Sequence, residues 1–325
     1  QKGGFFVAGG DVTLRKLTRD ELNSALIQAY ERAQTVLDKG RVASYIPELA
    51  KAAPSRLGAT LLTRDGLHLE IGDTCTPFTL QSVAKVIALA LAVYRFGKGT
   101  VFERVGMEPT GDPFNSLVKL ETAEQAKPLN PMINAGAISI CGLLAEKMGF
   151  EQAWQEIIQL TRRMCHSGFL GVNHSVYASE MQVAHRNRAL AHLLRELGVL
   201  QVDPEETVDL YVRLCALEVD GYGLAHMGLY FTHSIGPSSS VDIPPEILRL
   251  VNTFLVTCGM YNGSGEFAIR VGVPAKSGVS GAIMALVPGH MGIGVVGPAL
   301  DSKGNSVGGT ELLANLSQTL NLSMF

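Results

Sequence analysis

Hydrophobic and polar positions change period four times along the chain, from helical to strand-like and back, twice over. Thr18-Arg19-Asp20-Glu21 forms a capping-box pattern ahead of an amphipathic run, which predicts a helix ending near Gly40. Leu57 to Thr63 and Leu67 to Ile71 are rich in β-formers and are separated by Arg64-Asp65-Gly66, a hairpin signal. Gln81 to Phe96 is mostly apolar and predicts a helix that begins almost at Ser82 and is buried on more than one side. Helical patterns then dominate at 134–148, 151–165, 180–197, 204–217 and 244–257. Strand-like runs return at 267–271, 283–287 and 292–296, and a last helix is predicted at about 309–320.

Strands at both ends of the chain, with helices between, predict an α+β fold. One antiparallel sheet would form from N- and C-terminal strands, flanked by the terminal helices, with a helical subdomain inserted at roughly 97–257. Residues 1–17 read as a tag remnant or a disordered N-terminus, and 18–325 as a single catalytic domain.

Composition narrows the function. With 46% hydrophobic and 18% charged residues the chain reads as a well-buried globular protein. A net charge of −3 gives no electrostatic reason to expect nucleic acid or a membrane surface as partner. Cys75, Cys141, Cys165, Cys215 and Cys258 are odd in number, dispersed and mostly set among apolar residues, so buried free thiols in a reducing compartment are expected. The longest apolar run, Val86 to Val93, is far short of a membrane span, and no secretory signal is visible; both point to the cytoplasm. The histidines lack metal-ligand spacing, Gly221-Tyr222-Gly223 lacks the third glycine of a dinucleotide fingerprint, and no phosphate loop occurs. No metal and no cofactor are therefore expected.

Two short stretches carry candidate chemistry. Gln81-Ser82-Val83-Ala84-Lys85 puts a hydroxyl and an amine one helical turn apart, as a serine nucleophile with a lysine base requires. Lys276-Ser277-Gly278 adds a second lysine and hydroxyl and a glycine that would let a substrate lie close to the backbone. Serine acyl-transfer enzymes of the penicillin-binding type use such elements in this order. The bland alternative makes Ser82 a helix cap and Lys85 a solvated first-turn residue. The apolar run after Lys85 opposes it, because a poorly solvated lysine favours its neutral, basic form. A second S-x-x-K, Ser116 to Lys119, lacks this context. Gly304-Asn305-Ser306-Val307-Gly308 resembles a nucleophile elbow, but no His or Asp follows Ser306 to complete a triad of that order. Cys165-His166 are only sequence neighbours.

Longer segments bear a resemblance. Ser44-Tyr45-Ile46-Pro47-Glu48-Leu49-Ala50, Leu80 to Lys85, Asn130-Pro131-Met132-Ile133-Asn134-Ala135-Gly136-Ala137-Ile138, Cys258-Gly259-Met260-Tyr261, Pro274 to Gly281 and Gly304 to Val307 resemble the serine-dependent glutaminases. That family implies a β-lactamase-like fold and cofactor-free hydrolysis of L-glutamine to L-glutamate and ammonia. By this resemblance Ser82 is the nucleophile and Lys85 its partner, and Tyr45 and Tyr261 flank the reacting amide. Gln81, Asn134, Glu180, Asn187 and Tyr211 bind the substrate, with Val279 as a backbone contact to its side-chain carbonyl. A homodimer or homotetramer is implied. Which of Lys85, Tyr45 and Tyr261 is the base stays open, since a coupled cluster shares its protons. The loop Gly111 to Ser116 carries Asp112-Pro113, which departs from the animal pattern and leaves phosphate activation unassigned. The rivals are a β-lactamase-type peptidase, opposed by the absence of S-x-N and Y-x-N tripeptides, and a non-catalytic glutamine sensor.

Overall fold

The computed structural model describes residues 17–113, 115–116, 127–232 and 243–325. Helix α1 (Arg19–Gln34) begins at the expected capping box. Thr18 Oγ1 accepts from the Glu21 backbone N–H at 3.3 Å, and the Glu21 carboxylate accepts from the Thr18 N–H at 2.9 Å. Strands β1 (Gly58–Thr63) and β2 (His68–Gly72) form the predicted hairpin, with Gly66 at φ 92° in its turn. After β3 (Phe78–Thr79) come α2 (Lys85–Arg104), α3 (Asn134–Met148) and α4 (Phe150–Cys165). Next follow β4 (Phe169–Val172), α5 (His174–Val183), α6 (His185–Glu196), α7 (Pro204–Cys215) and β5 (Leu217–Val219). The chain ends with α8 (Gly221–Thr232), α9 (Pro245–Cys258), α10 (Ser264–Arg270), β6 (Ala275–Ser277), β7 (Ala282–Val287), β8 (Met291–Val296) and α11 (Val307–Leu320).

The main sheet has the order β2-β1-β8-β7-β6, with every pairing antiparallel. Its centre joins the two ends of the chain: Gly58 pairs with Val296 and Leu61 with Ile293. Helices α1 and α11 cover one face, and their apolar residues form one core with the strand residues Leu61, Ile283 and Ile293. Helix α8 lies on the opposite face and approaches closely, because a Cβ at Gly292 would stand 2.1 Å from the Leu229 backbone nitrogen. Strands β3, β5 and β4 form a second, three-stranded sheet beside the helical layer.

Besides strands β3 to β6, which have no counterpart in the sequence expectation, three elements differ from it. The run 267–271 forms not a strand but helix α10 with the residue that follows it. A strand would align Phe267, Ile269 and Val271 on one face, yet Phe267 is 5% exposed, Ile269 89% and Val271 2%. Residues 180–197 form not one helix but α5 and α6, broken at Ala184 (φ −73°, ψ 22°). Helix α8 was not expected at all, since its glycines weaken helix propensity and are kept for contact with β8.

Candidate active site

Ser82 sits on a 3₁₀ turn, Gln81–Ala84, that leads directly into α2. Three residues per turn stack position i over i+3, so Ser82 and Lys85 share one side more closely than an α-helix would give. The Leu80 N–H donates to Leu217 O at 2.8 Å and fixes the turn to β5. A Cβ at Gly278 would stand 2.6 Å from the Leu80 carbonyl oxygen. What that glycine admits is thus the Ser82 turn itself, where the sequence suggested a substrate.

Lys85 is 1% exposed, at the head of a helix whose residues Val86 to Val93 are all buried. Its Nζ donates to Asn134 Oδ1 at 2.7 Å and to Met132 O at 3.2 Å and lies 5.8 Å from the Tyr211 ring centre. Burial pushes its pKa down to about 8, opposed by the neighbouring Cys215 and Glu180. That shift corresponds to a cost of about 3 kcal/mol for the charged form. Each fully buried Leu, Ile or Val of α2 offsets this with roughly 1.5–3 kcal/mol.

The other predicted residues converge on the same pocket, which is lined by Tyr45, Gln81, Ser82, Asn134, Glu180, Asn187, Tyr211 and Val279. Tyr261 joins the group, its hydroxyl electrostatically coupled to Ser82, while burial raises its pKa. Gln81 (φ 48°) and Tyr261 (φ 53°) both hold left-handed backbone conformations, a strain that clusters at functional sites. Asn134 Nδ2 donates to Asn187 Oδ1 at 3.1 Å, joining α3 to α6. Gln81 Nε2 donates to Glu180 Oε2 at 3.3 Å. Burial pushes the Glu180 carboxyl up to about 7, with the Gln81 hydrogen bond and Lys85 opposing. The Ser179 hydroxyl accepts from the Glu48 N–H at 3.2 Å, so the Tyr45 segment is held against α5. Tyr45 is 55% exposed overall, yet its hydroxyl end is crowded, and its pKa rises through burial and then through Tyr261 and Glu180.

Lys276 has a place that the sequence did not foresee. It is fully buried, donates to Gly259 O at 3.1 Å and Ser277 O at 2.8 Å, and lies 4.5 Å from the Tyr261 ring centre. Burial and then Lys85 hold its pKa well below the usual lysine range. Asn115 and Arg186 also line the pocket, with Arg186 Nε donating to Asn115 O at 2.6 Å. Neither carries a motif that would have marked it.

The remaining motifs stay apart from this chemistry. The Ser306 hydroxyl accepts from the Gly309 N–H at 3.0 Å and caps α11. Cys165 is fully buried beside the exposed His166. The partner of Ser116 in the second S-x-x-K, Lys119, lies outside the described residues. Among the described residues no group of three His, Cys, Asp or Glu is arranged to hold a metal ion. No helix among them is long and apolar enough to cross a membrane.

A family model described as Glutaminase matches residues 40–325. The glutaminase of Geobacillus thermodenitrificans (strain NG80-2) is 45% identical over 302 residues, covering 92% of this chain and 97% of that protein. The solved structure of the probable glutaminase ybaS superposes with a TM-score of 0.89 at 35% identity, covering 95% of this chain and 99% of that one. A Bacillus subtilis glutaminase, YbgJ, solved as a covalent complex with 5-oxo-L-norleucine after reaction with 6-diazo-5-oxo-L-norleucine, has a TM-score of 0.81 at 35% identity. It covers 93% of this chain and 99% of its own.

Proposed function

This chain belongs to the glutaminase family, and from that premise we propose that it hydrolyses L-glutamine to L-glutamate and ammonia through a Ser82–Lys85 acyl-enzyme mechanism. The observation that carries the mechanism is the hydrogen bonding of Lys85. A neutral amine has two N–H donors and one lone pair, and the Lys85 Nζ meets two acceptors, Asn134 Oδ1 and Met132 O. Its lone pair is then left for a proton from Ser82, taken directly or relayed by the Tyr261 hydroxyl, which is electrostatically coupled to Ser82.

Ser82 Oγ attacks the side-chain amide carbon, and the backbone N–H groups of Ser82 and Val279 hold the oxyanion. The C–N bond breaks as the leaving nitrogen receives the proton held by the Lys85–Tyr261 pair, and ammonia departs. The resulting γ-glutamyl ester is hydrolysed by water, deprotonated by the same pair. Glu180, kept in place by Gln81, meets the α-ammonium, while Asn134, Asn187 and Tyr211 supply neutral donors for the α-carboxylate. Tyr45, in the same pocket lining, flanks the reacting amide with Tyr261. No step requires a cofactor.

The same proposal assigns the β-lactamase/penicillin-binding type of fold, supported by a sheet drawn from both chain ends beneath α1 and α11 and by the Ser82 turn against the end of β6. It also assigns a homodimer or homotetramer in the cytoplasm, where five free cysteines fit a reducing compartment. The test is labelling with 6-diazo-5-oxo-L-norleucine followed by peptide mass mapping. A stoichiometric adduct on the Ser82 peptide supports the mechanism, and an adduct on any other nucleophile overturns it.

A further inference from the structure

Glu180 lies on α5, a helix of ten residues. A helix this short is marginal on its own, so tertiary contacts set where its side chains point. One such contact lies outside the pocket. Tyr177, three residues before Glu180 on α5, donates its hydroxyl to Asp209 Oδ1. Asp209 Oδ2 is 3.0 Å from Arg213 Nε, one turn further along α7. The Arg213 guanidinium in turn sits among three rings, 5.1 Å from the centre of Phe150, 5.9 Å from Trp154 and 5.8 Å from Tyr177. Phe150 and Trp154 belong to α4, so one cation joins α4, α5 and α7.

The clamp bears on the pocket through helix geometry. Tyr211 lies two residues from both Asp209 and Arg213, which turns it to the opposite face of α7, where it is 2% exposed and lines the pocket. On α7 the clamp and Tyr211 thus lie on opposite faces, whereas on α5 Tyr177 and Glu180, three residues apart, share one face, so the clamp holds the turn that carries Glu180. We infer that Arg213, through Tyr177 and Asp209, is a positioning residue that sets the reach of Glu180 toward the substrate ammonium and so tunes selectivity for an α-amino acid. The inference rests on the assignment of Glu180 to that ammonium. A planar guanidinium is suited to the role, since it stacks on rings while donating to a carboxylate, which an ammonium does less well.

The test is competitive inhibition of glutamine hydrolysis by L-glutamate and by glutarate, the same dicarboxylate without the ammonium. The ratio of the two inhibition constants reads the Glu180 contact, whereas a general loss of folded enzyme leaves it unchanged. Arg213→Met is expected to lower the wild-type preference for glutamate on the order of tenfold, a modest share of what a ~1 Å displacement can cost. Inhibition by glutarate should stay within about twofold, because only the ammonium contact is displaced. Arg213→Lys and Tyr177→Phe, which each keep part of the clamp, should fall between. They also decide the matter if Arg213→Met does not fold. An unchanged glutamate-to-glutarate ratio in the folded variants, or equal losses for both inhibitors, overturns the inference. A wild-type enzyme with no preference for glutamate overturns the Glu180 assignment itself, and the inference with it.

Discussion

Lys85 donates a hydrogen bond of 2.7 Å to Asn134 Oδ1, so the proposed base and the proposed amino-acid pocket share one contact. Asn134 passes that link on to Asn187 through its amide nitrogen at 3.1 Å. A neutral acceptor at this position satisfies an N–H of Lys85 and favours its charged form far less than a carboxylate would.

Asn134→Asp tests this coupling. An opposite charge at hydrogen-bond distance raises the pKa of an amine by about 1–3 units. The rise of kcat/KM with pH should move to higher pH by at least about one unit, with some activity recovered in alkaline buffer. A pH profile that coincides with the wild type would separate Asn134 from the base.

Stability should carry the mark of two buried titratable groups, Glu180 and Lys85. Glu180 has its carboxyl pushed from 4.5 up to about 7, so the folded state binds more protons than the unfolded chain between those values. Its contribution is therefore retained at low pH and lost as pH rises through about 7. Lys85 is lowered from 10.5 to about 8, so the unfolded chain binds more protons in that window and stability grows with pH across it. Glu180→Gln removes the first effect. The variant should gain in Tm relative to the wild type at pH 8 and show little gain at pH 5, read by thermal unfolding at both values. An equal change at the two pH values would show that Glu180 does not titrate in this range.

The reach of the sequence followed from how local each feature is. The capping box at Thr18, the hairpin at Gly66 and the glycine-flanked strands that pair across the chain ends rest on short-range patterns, and the structure holds them. The Ser82–Lys85 pair was legible because three residues of sequence separate the two groups. That it lies on a 3₁₀ turn was not, since the left-handed Gln81 is imposed by the Leu80–Leu217 hydrogen bond and by Glu180, both distant in sequence. Glu180, Asn187 and Tyr211 have no local signature, and family resemblance alone nominated them. Alternation misled at 267–271, where Ile269 faces outward. Lys276 was noticed as a motif, but its place on the Tyr261 ring depends on a strand and a turn that meet only in the fold.

Covalent chemistry at Ser82 gives the largest expected effect. Ser82→Ala should lower kcat by several orders of magnitude, on the scale of roughly 10⁶ seen when a nucleophile is removed, while still binding glutamine. Lys85→Arg keeps the charge but cannot give up its proton at accessible pH, so it should be nearly as inactive as Lys85→Ala. Ser116→Ala, in the other S-x-x-K match, should keep wild-type activity. Ammonia release at steady state checks all four variants, and near-normal turnover by Ser82→Ala would sink the acyl-enzyme mechanism.

On the proposed assignment, substrate choice follows from Glu180, a carboxylate only 6% exposed in the pocket lining. Such a charge contributes to binding only when an ammonium meets it; otherwise it stays desolvated and unpaired. Free L-glutamine should therefore be hydrolysed, while N-acetyl-glutamine, which has no ammonium, should be rejected. Glu180→Gln should lose at least about 2 kcal/mol of glutamine binding, in line with breaking a buried charge pair. Asparagine is one methylene shorter, so its amide cannot reach Ser82 while its α-groups stay at Glu180, Asn134 and Asn187. A misplacement of ~1 Å already costs on the order of 100-fold in rate. Measuring kcat/KM for glutamine, asparagine and N-acetyl-glutamine side by side decides the assignment. Comparable values for all three would mean that the pocket does not read the α-ammonium, even with Ser82 as the nucleophile.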